Sequence, residues 1–295
     1  MNFQSLLQRK NIVLLDGAMG SELQRRGFGT SLPLWSATAS TEAPELLREI
    51  HSDYIKAGAD IITANTFRTS RYTYAKIGRE SEADLAMNSA VEIARMAVKQ
   101  SGRSILIAGS VTTLEDCYEP KKVPDNAVLQ KYHRHQINAL AEMDVDFILL
   151  ETMNNSREAL LSSQIAAKTG KAFAISLITN GNGQLMSGDD LTDTVLKIAQ
   201  FKPSAILLNC RSLQTINRDL PTLQQAWQGH CGAYANGYGN PDHDWGWISD
   251  SNKTDSLQDF INTNDNWIRS GIKIIGGCCG TTPMHIAELN KLTNG

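Results

Sequence analysis

Short apolar runs alternate with amphipathic helical patterns along this 295-residue chain, and that alternation limits the folds open to it more than any other feature. Eight runs rich in aliphatic and β-branched residues fall at 11–16, 60–66, 104–110, 146–151, 172–178, 204–210, 232–236 and 272–278. Most are continuous rather than alternating, as strands buried on both faces should be. Helical patterns with recognisable ends lie between them. Residues 41–58 begin at a cap residue, stop at glycine and carry Leu47, Ile50 and Tyr54 on one face. Ser81 and Asp84 read as a capping box ahead of 85–98. Asp125 precedes Val128, Leu129, Tyr132, Ile137 and Leu140, and Ser156 opens a helix that ends near Gly170. Thr282-Pro283 puts a proline in the first turn of the last helix.

A strand followed by a helix, eight times over, means a parallel sheet. In a chain of this size it predicts a single (β/α)8 TIM barrel over residues 1–295. An open doubly wound sheet is the alternative. Two connections exceed what a helix needs, 21–40 and 237–255. These extended loops after strands 1 and 7 belong to the face on which barrel active sites are built. No internal repeat or proline-rich linker divides the chain.

Hydrophobic residues make up 41% and charged residues 20%, and the net charge of −3 comes with no basic stripe for nucleic acid. The apolar stretch before Gly17 covers only about five residues, too short for a signal or membrane segment. A cytoplasmic, reducing location is expected. There, five cysteines point to metal or catalysis before disulfides. Oligomeric state is not legible in these features.

The ends of the runs carry the chemistry. They read Asp16-Gly17, Asn65-Thr66, Ser110, Glu151-Thr152, Asn209-Cys210, Asn236-Gly237 and Cys278-Cys279. In a barrel only the seventh strand separates the sixth from the eighth, so Cys210, Cys278 and Cys279 can converge on one ion. Three thiolates, each roughly 2.3 Å from a zinc, leave one tetrahedral position open, as in a catalytic rather than a structural site. Cys210 taken alone also reads as a small buried hydrophobe. Cys278-Cys279, flanked by glycines, favours a ligand. Asp16 at a buried strand end needs a partner, either a bound ammonium group or an Asx-type turn. Gly17 and Gly20 free backbone N–H groups that can take a carboxylate. Glu151 reads as a second ammonium partner or as half of a structural salt bridge.

Cys117, in a polar loop, and Cys231, at a strand start, are expected to be inert. His133 and His135 lie two apart on a helix, cannot face one ion together, and read as surface or half-buried residues. His243, between Asp242 and Asp244, reads as part of a solvated loop. Trp35 in the first long loop, with Tyr238, Trp245 and Trp247 in the second, could cage a sulfonium or ammonium cation or pack on their own loops.

Asp16-Gly17-Ala18-Met19-Gly20, Asn209-Cys210 and Gly276-Gly277-Cys278-Cys279-Gly280-Thr281-Thr282-Pro283 resemble the homocysteine S-methyltransferase family. The resemblance spans nearly the whole chain, and the last segment is highly specific. It implies a (β/α)8 barrel enzyme that uses Zn2+ to move a methyl group from a sulfonium or ammonium donor to the thiol of homocysteine, giving methionine. S-methylmethionine is the foremost donor. By matching position, Cys210, Cys278 and Cys279 would be the zinc ligands, and Asp16, Gly17 and Glu151 would hold the amino-acid part of homocysteine. Asn236 sits where some members supply a fourth zinc ligand when substrate is absent. The resemblance also implies a stand-alone enzyme without cobalamin or folate modules, whose partners are small molecules rather than nucleic acid or membrane. Two stretches depart from the pattern. Residues 109–120 lack the glycine- and proline-containing turn expected of the S-methylmethionine enzymes, and 237–250 are unusually aromatic and acidic. Both border the donor's entry, so the donor is the less defined substrate. The alternatives are a zinc-dependent methyltransferase for another thiol or a selenol, and a zinc-binding barrel without this activity. Asp16 and Glu151 argue against the latter, because zinc binding alone does not need them.

Overall fold

All eight apolar runs become strands in the computed structural model, which describes residues 1–237, 239–242, 244, 246–248 and 256–294. They are β1 (Val13–Leu14), β2 (Ile61–Ala64), β3 (Leu106–Val111), β4 (Phe147–Met153), β5 (Phe173–Leu177), β6 (Ala205–Asn209) and β7 (His230–Ala235), and, after an antiparallel hairpin of β8 (Asn240–Asp242) and β9 (Gly246–Ile248), β10 (Ile274–Gly277). The sheet runs β1-β10-β7-β6-β5-β4-β3-β2, every pair parallel. A bridge between Leu15 and Ile61 joins β1 to β2 and closes the ring. The result is a (β/α)8 barrel rather than an open sheet.

The continuous hydrophobicity of the runs has two destinations. Leu14, Ile62, Ile107, Ile148, Ile175, Ile206 and Ile275 point outward into the large core shared with the helices. Val13, Leu15, Ile61, Leu106, Leu149, Leu207 and Ile274 fill the barrel. A short helix, Phe3–Arg9, precedes β1 and plugs the N-terminal end of the barrel. Asn2 and Ser5 form its capping box, and Phe3 stacks on Phe147 with ring centroids 3.9 Å apart. Burying Phe3 in this way contributes about 1.5–3 kcal/mol.

Three local expectations change. The helix expected from Thr41 is broken in two, Ala39–Glu42 and Pro44–Ala57, because Pro44 lacks an N–H and suits a helix's first position. Ser81 and Asp84 form no capping box. Ser81 lies in a 3-10 turn, Glu80–Glu82, and Asp84 instead accepts from Arg71 Nε at 3.2 Å ahead of the helix body of Ala83–Ser101. His133 is neither surface nor half-buried. It is fully buried, with Nε2 2.7 Å from Glu158 Oε1. Asp125 does cap Asn126–Glu142, accepting from Val128 N, and the last helix starts at Pro283. The long connection after β1 carries the helix Gly20–Arg25 and Trp35, and that after β7 carries the hairpin. Tyr238, His243, Trp245 and 249–255 lie outside the described residues.

Candidate active site

The C-terminal ends of the strands surround a cavity with about 820 Å³ of empty space, its open mouth included. On one wall β6, β7 and β10 stand side by side, so Cys210 at the exit of β6 meets Cys278 and Cys279 at the exit of β10. The three sulfurs all lie within 4.8 Å of one another, and Cys210 Sγ is 3.9 Å from Cys279 Sγ. The backbone goes to some length to achieve this. Cys210 adopts φ 57°, a left-handed conformation costly for a residue with a Cβ. A Cβ on Gly277 would sit 2.3 Å from Thr281 Oγ1, and one on Gly276 would sit 2.6 Å from Leu15 Cβ, so the chain reaches the cysteines only through glycines. The turn beyond is clamped. Cys278 N donates to Ala235 O, Gly237 N donates to Cys279 O, and Thr281 Oγ1 donates to Cys278 O at 2.7 Å.

Hydrogen bonding to a neighbouring thiol, then burial, holds the Cys210 and Cys279 thiols well above their ordinary range. Three such thiols close together, with no cationic side chain among the cavity-lining residues, suit a soft metal ion. Asn236, at the exit of β7, has its backbone N tied to Arg211 O at 2.9 Å. Its buried Oδ1 finds no partner among the described residues, and Asn236 is not part of the cavity wall.

Two carboxylates face the same cavity. Asp16, at the exit of β1, accepts from Thr63 N at 2.8 Å and from Thr63 Oγ1 at 3.0 Å. Burial pushes its carboxyl from 3.8 up to about 8, with Glu151 adding to the rise and Thr63 opposing it. Glu151 accepts from Ser110 Oγ and, at 3.0 Å, from Tyr234 Oη. Burial raises its carboxyl too, against both hydroxyls. Among the described residues neither carboxylate meets a cationic side chain, and neither is half of a salt bridge there. Gly17 follows Asp16 in a confined place, for a Cβ there would lie 2.8 Å from both Thr281 Oγ1 and the Tyr54 ring. Thr152, next to Glu151, and Trp35 are also left-handed, at φ 55° and 47°, and both line the cavity with Cys210.

Aromatic side chains cover the thiol end. Trp247 on β9 is buried against Cys210 and Cys279, with Trp35 and Tyr118 packed around them. Gly20 makes room for the Trp35 indole, whose nearest atom would lie 2.2 Å from a Cβ there.

The sequence profile of the homocysteine S-methyltransferase family matches residues 13–293. This chain belongs to the homocysteine S-methyltransferase family. It is therefore a methyltransferase. Homocysteine S-methyltransferase of Escherichia coli K12 is 30% identical, covering 97% of this chain and 96% of the relative. Selenocysteine methyltransferase of Astragalus bisulcatus is 31% identical, covering 97% and 94%. The crystal structure of the homocysteine methyltransferase MmuM from Escherichia coli in its metallated form superposes with a TM-score of 0.83 at 28% identity, covering 97% of this chain and 98% of that one.

In this methyltransferase, then, one cavity brings together Asp16, Gly17, Glu151, Cys210, Cys278 and Cys279. Cys231 stays apart in the core, and Cys117, in the loop after β3, is buried in the cavity wall. Burial raises the Cys117 thiol to about 12, which leaves it protonated. Thr63, Tyr234 and Tyr118 were not singled out. Tyr234 sits one residue before Ala235 in β7, and its inward position on the strand's two-residue period was the available signal. Nothing in the sequence marks Tyr118, whose role comes from a loop folding across the barrel mouth.

Proposed function

We propose that this protein transfers a methyl group from a cationic sulfonium or ammonium donor, S-methylmethionine foremost, to the thiol of homocysteine, yielding methionine. The observation that carries this reading is a single cavity with three clustered thiols at one end and, at the other, two carboxylates without a cationic partner among the described residues. An amino acid with a terminal thiol matches both ends. Cys210, Cys278 and Cys279 would hold Zn2+. When bound, that ion would supply Lewis acidity at the substrate sulfur, favouring its thiolate at neutral pH.

The remaining work belongs to the chain's own residues. Asp16 and Glu151 receive the ammonium group, which restores to both carboxylates the charge that burial disfavours. Thr63, Ser110 and Tyr234 fix the orientation of those carboxylates. Gly17 lets the substrate approach the backbone. Holding the substrate at both ends sets its sulfur in line with the methyl group. Trp35, Trp247 and Tyr118 exclude water and offer ring faces to a positively charged donor. Asn236, whose Oδ1 has no partner among the described residues, is the candidate for an additional metal contact in the substrate-free protein. A reducing, cytoplasmic location suits the free thiols. No described helix is long and apolar enough to cross a membrane.

Methionine formation by zinc-loaded protein from homocysteine, with S-methylmethionine, S-adenosylmethionine and betaine in parallel, tests the reading. Turnover with S-methylmethionine is expected, and no turnover with any donor despite bound metal would overturn it. The selenocysteine methyltransferase relative, as similar as the homocysteine enzyme, favours a second acceptor, the selenol of selenocysteine. Competition between the two acceptors in the same assay ranks them.

A further inference from the structure

Tyr118 reaches the thiol cluster from the loop after β3, the same stretch that departs from the glycine- and proline-containing turn. That loop is fastened at successive residues. Leu114 N donates to Glu158 Oε1 at 2.8 Å, and Glu158 is itself held by His133. Arg68 Nη1 and Thr113 Oγ1 both donate to Glu115 O, at 3.1 and 2.9 Å. Asn154 Nδ2 donates to Cys117 O at 3.0 Å, and Tyr118 N donates to Asp116 Oδ1 at 3.0 Å. The fastened loop delivers the Tyr118 hydroxyl to Cys210, 3.1 Å from its carbonyl oxygen and 3.2 Å from Sγ. Among the described residues, neither Cys278 nor Cys279 receives a hydroxyl in this way.

A sulfur that binds a metal carries no proton, so towards Cys210 Sγ the Tyr118 hydroxyl can act only as donor, its one proton shared between that sulfur and the Cys210 carbonyl oxygen. A methyl donor in this cavity faces the protein's own thiolates as well as the substrate's. A hydrogen bond to a charged sulfur occupies the lone pair with which it would attack. We propose that Tyr118 is a positioning residue that keeps Cys210 a spectator ligand, so that the methyl group goes to the substrate sulfur and not to the protein. The reaction it suppresses is self-methylation. The donor's methyl–sulfur bond would break with its electron pair leaving on the donor as a neutral thioether. The Cys210 lone pair would form a new S–CH3 bond, giving S-methylcysteine with no proton moved. This inference rests on the proposed three-thiolate metal site.

The test uses Tyr118→Phe and the unaltered protein, each loaded with zinc or cobalt(II) and exposed to methyl iodide without homocysteine. Mass mapping follows methylation at each cysteine. In Y118F, Cys210 should be methylated about tenfold faster, the factor that one charge-assisted hydrogen bond of ordinary strength commands. Cys278 and Cys279 should change by less than about twofold. The sulfur-to-cobalt charge-transfer band should move to longer wavelength. An unchanged Cys210 rate with an unmoved band overturns the role of Tyr118, as does equal acceleration at all three cysteines, which signals general loosening. Should Y118F lose its metal, Tyr118→Gln keeps a donor where Tyr118→Leu does not. Protection retained by the first and lost by the second supports the proposal, and equal behaviour overturns it. A missing sulfur-to-cobalt band in the unaltered protein sinks the metal site and this inference with it. A normal band with unchanged methylation sinks only Tyr118.

Discussion

The two ends of the cavity hold their reactive groups by opposite means. At the thiol end the backbone does the positioning, through the left-handed Cys210, two glycines that admit no side chain, and a clamped turn. At the carboxylate end side chains do it. Thr63, Ser110 and Tyr234 hydroxyls donate to Asp16 and Glu151, joined by the Thr63 backbone N, while β4 shifts register beside Glu151 at the left-handed Thr152. Both ends disfavour charge when empty, and on the proposed reading each takes a different cation, a soft metal in one case and an ammonium group in the other. The contrast teaches that one cavity can present buried reactive groups either through backbone geometry or through hydroxyl partners.

Variants can separate the two ends. Cys279→Ala should have the largest effect, with loss of bound metal and a fall in turnover of about a thousandfold or more, the loss of several kcal/mol of Lewis-acid stabilisation. Metal analysis of the purified variant checks it, and full occupancy would remove Cys279 from the ligand set. Glu151→Ala should keep the metal but raise the KM for homocysteine about a hundredfold, since it strips one partner from a buried ion pair. An unchanged KM would break the assignment of the carboxylate end.

Asp16→Asn sharpens the comparison through pH. The Asp16 carboxyl lies at about 8 in the fold against 3.8 in the ordinary case, so between those values the folded state holds a proton the unfolded state has lost. Its contribution is complete below pH 4 and is lost as pH rises towards 8. The substrate-free, metal-free variant should therefore melt a few degrees higher at pH 8 and hardly differ at pH 4, while binding homocysteine poorly. Thermal melts across that range, compared with the unaltered protein, decide the point. Parallel pH profiles for the two proteins would remove Asp16 as the group responsible. The smallest change expected is Gly276→Ala. Its Cβ would crowd Leu15 and destabilise the fold by about 1–3 kcal/mol, read as a lowered melting temperature with weaker metal retention.

The fold was legible because continuous apolar runs alternating with helical patterns read as doubly buried strands, and the thiol end because cysteines at the exits of the sixth and eighth runs can converge across the seventh. Asp16 and Glu151 were visible for a related reason, being charged groups where apolar runs stop. What the sequence hid were the groups that serve them. Tyr234 lies 83 residues from Glu151 and Tyr118 lies 92 from Cys210, and such pairings follow from ring closure rather than local pattern. Pattern also failed where two local signals competed. Thr41 looked like a cap, but Pro44 set the helix start, and Asp84 was drawn away by Arg71.

Ring closure has one more consequence, for synthesis. β1 is a two-residue strand whose partners are β10 and β2, so the first strand made is seated beside the last. A ribosome must release almost the entire chain before that seam can form, and pairing across such a span is slow. Until then Asp16, carried at the exit of β1, has no barrel to face into, whereas Cys210 needs only β7 and β10 beside β6 to meet Cys278 and Cys279. The cavity thus brings its two ends together only when the first strand made takes its place beside the last.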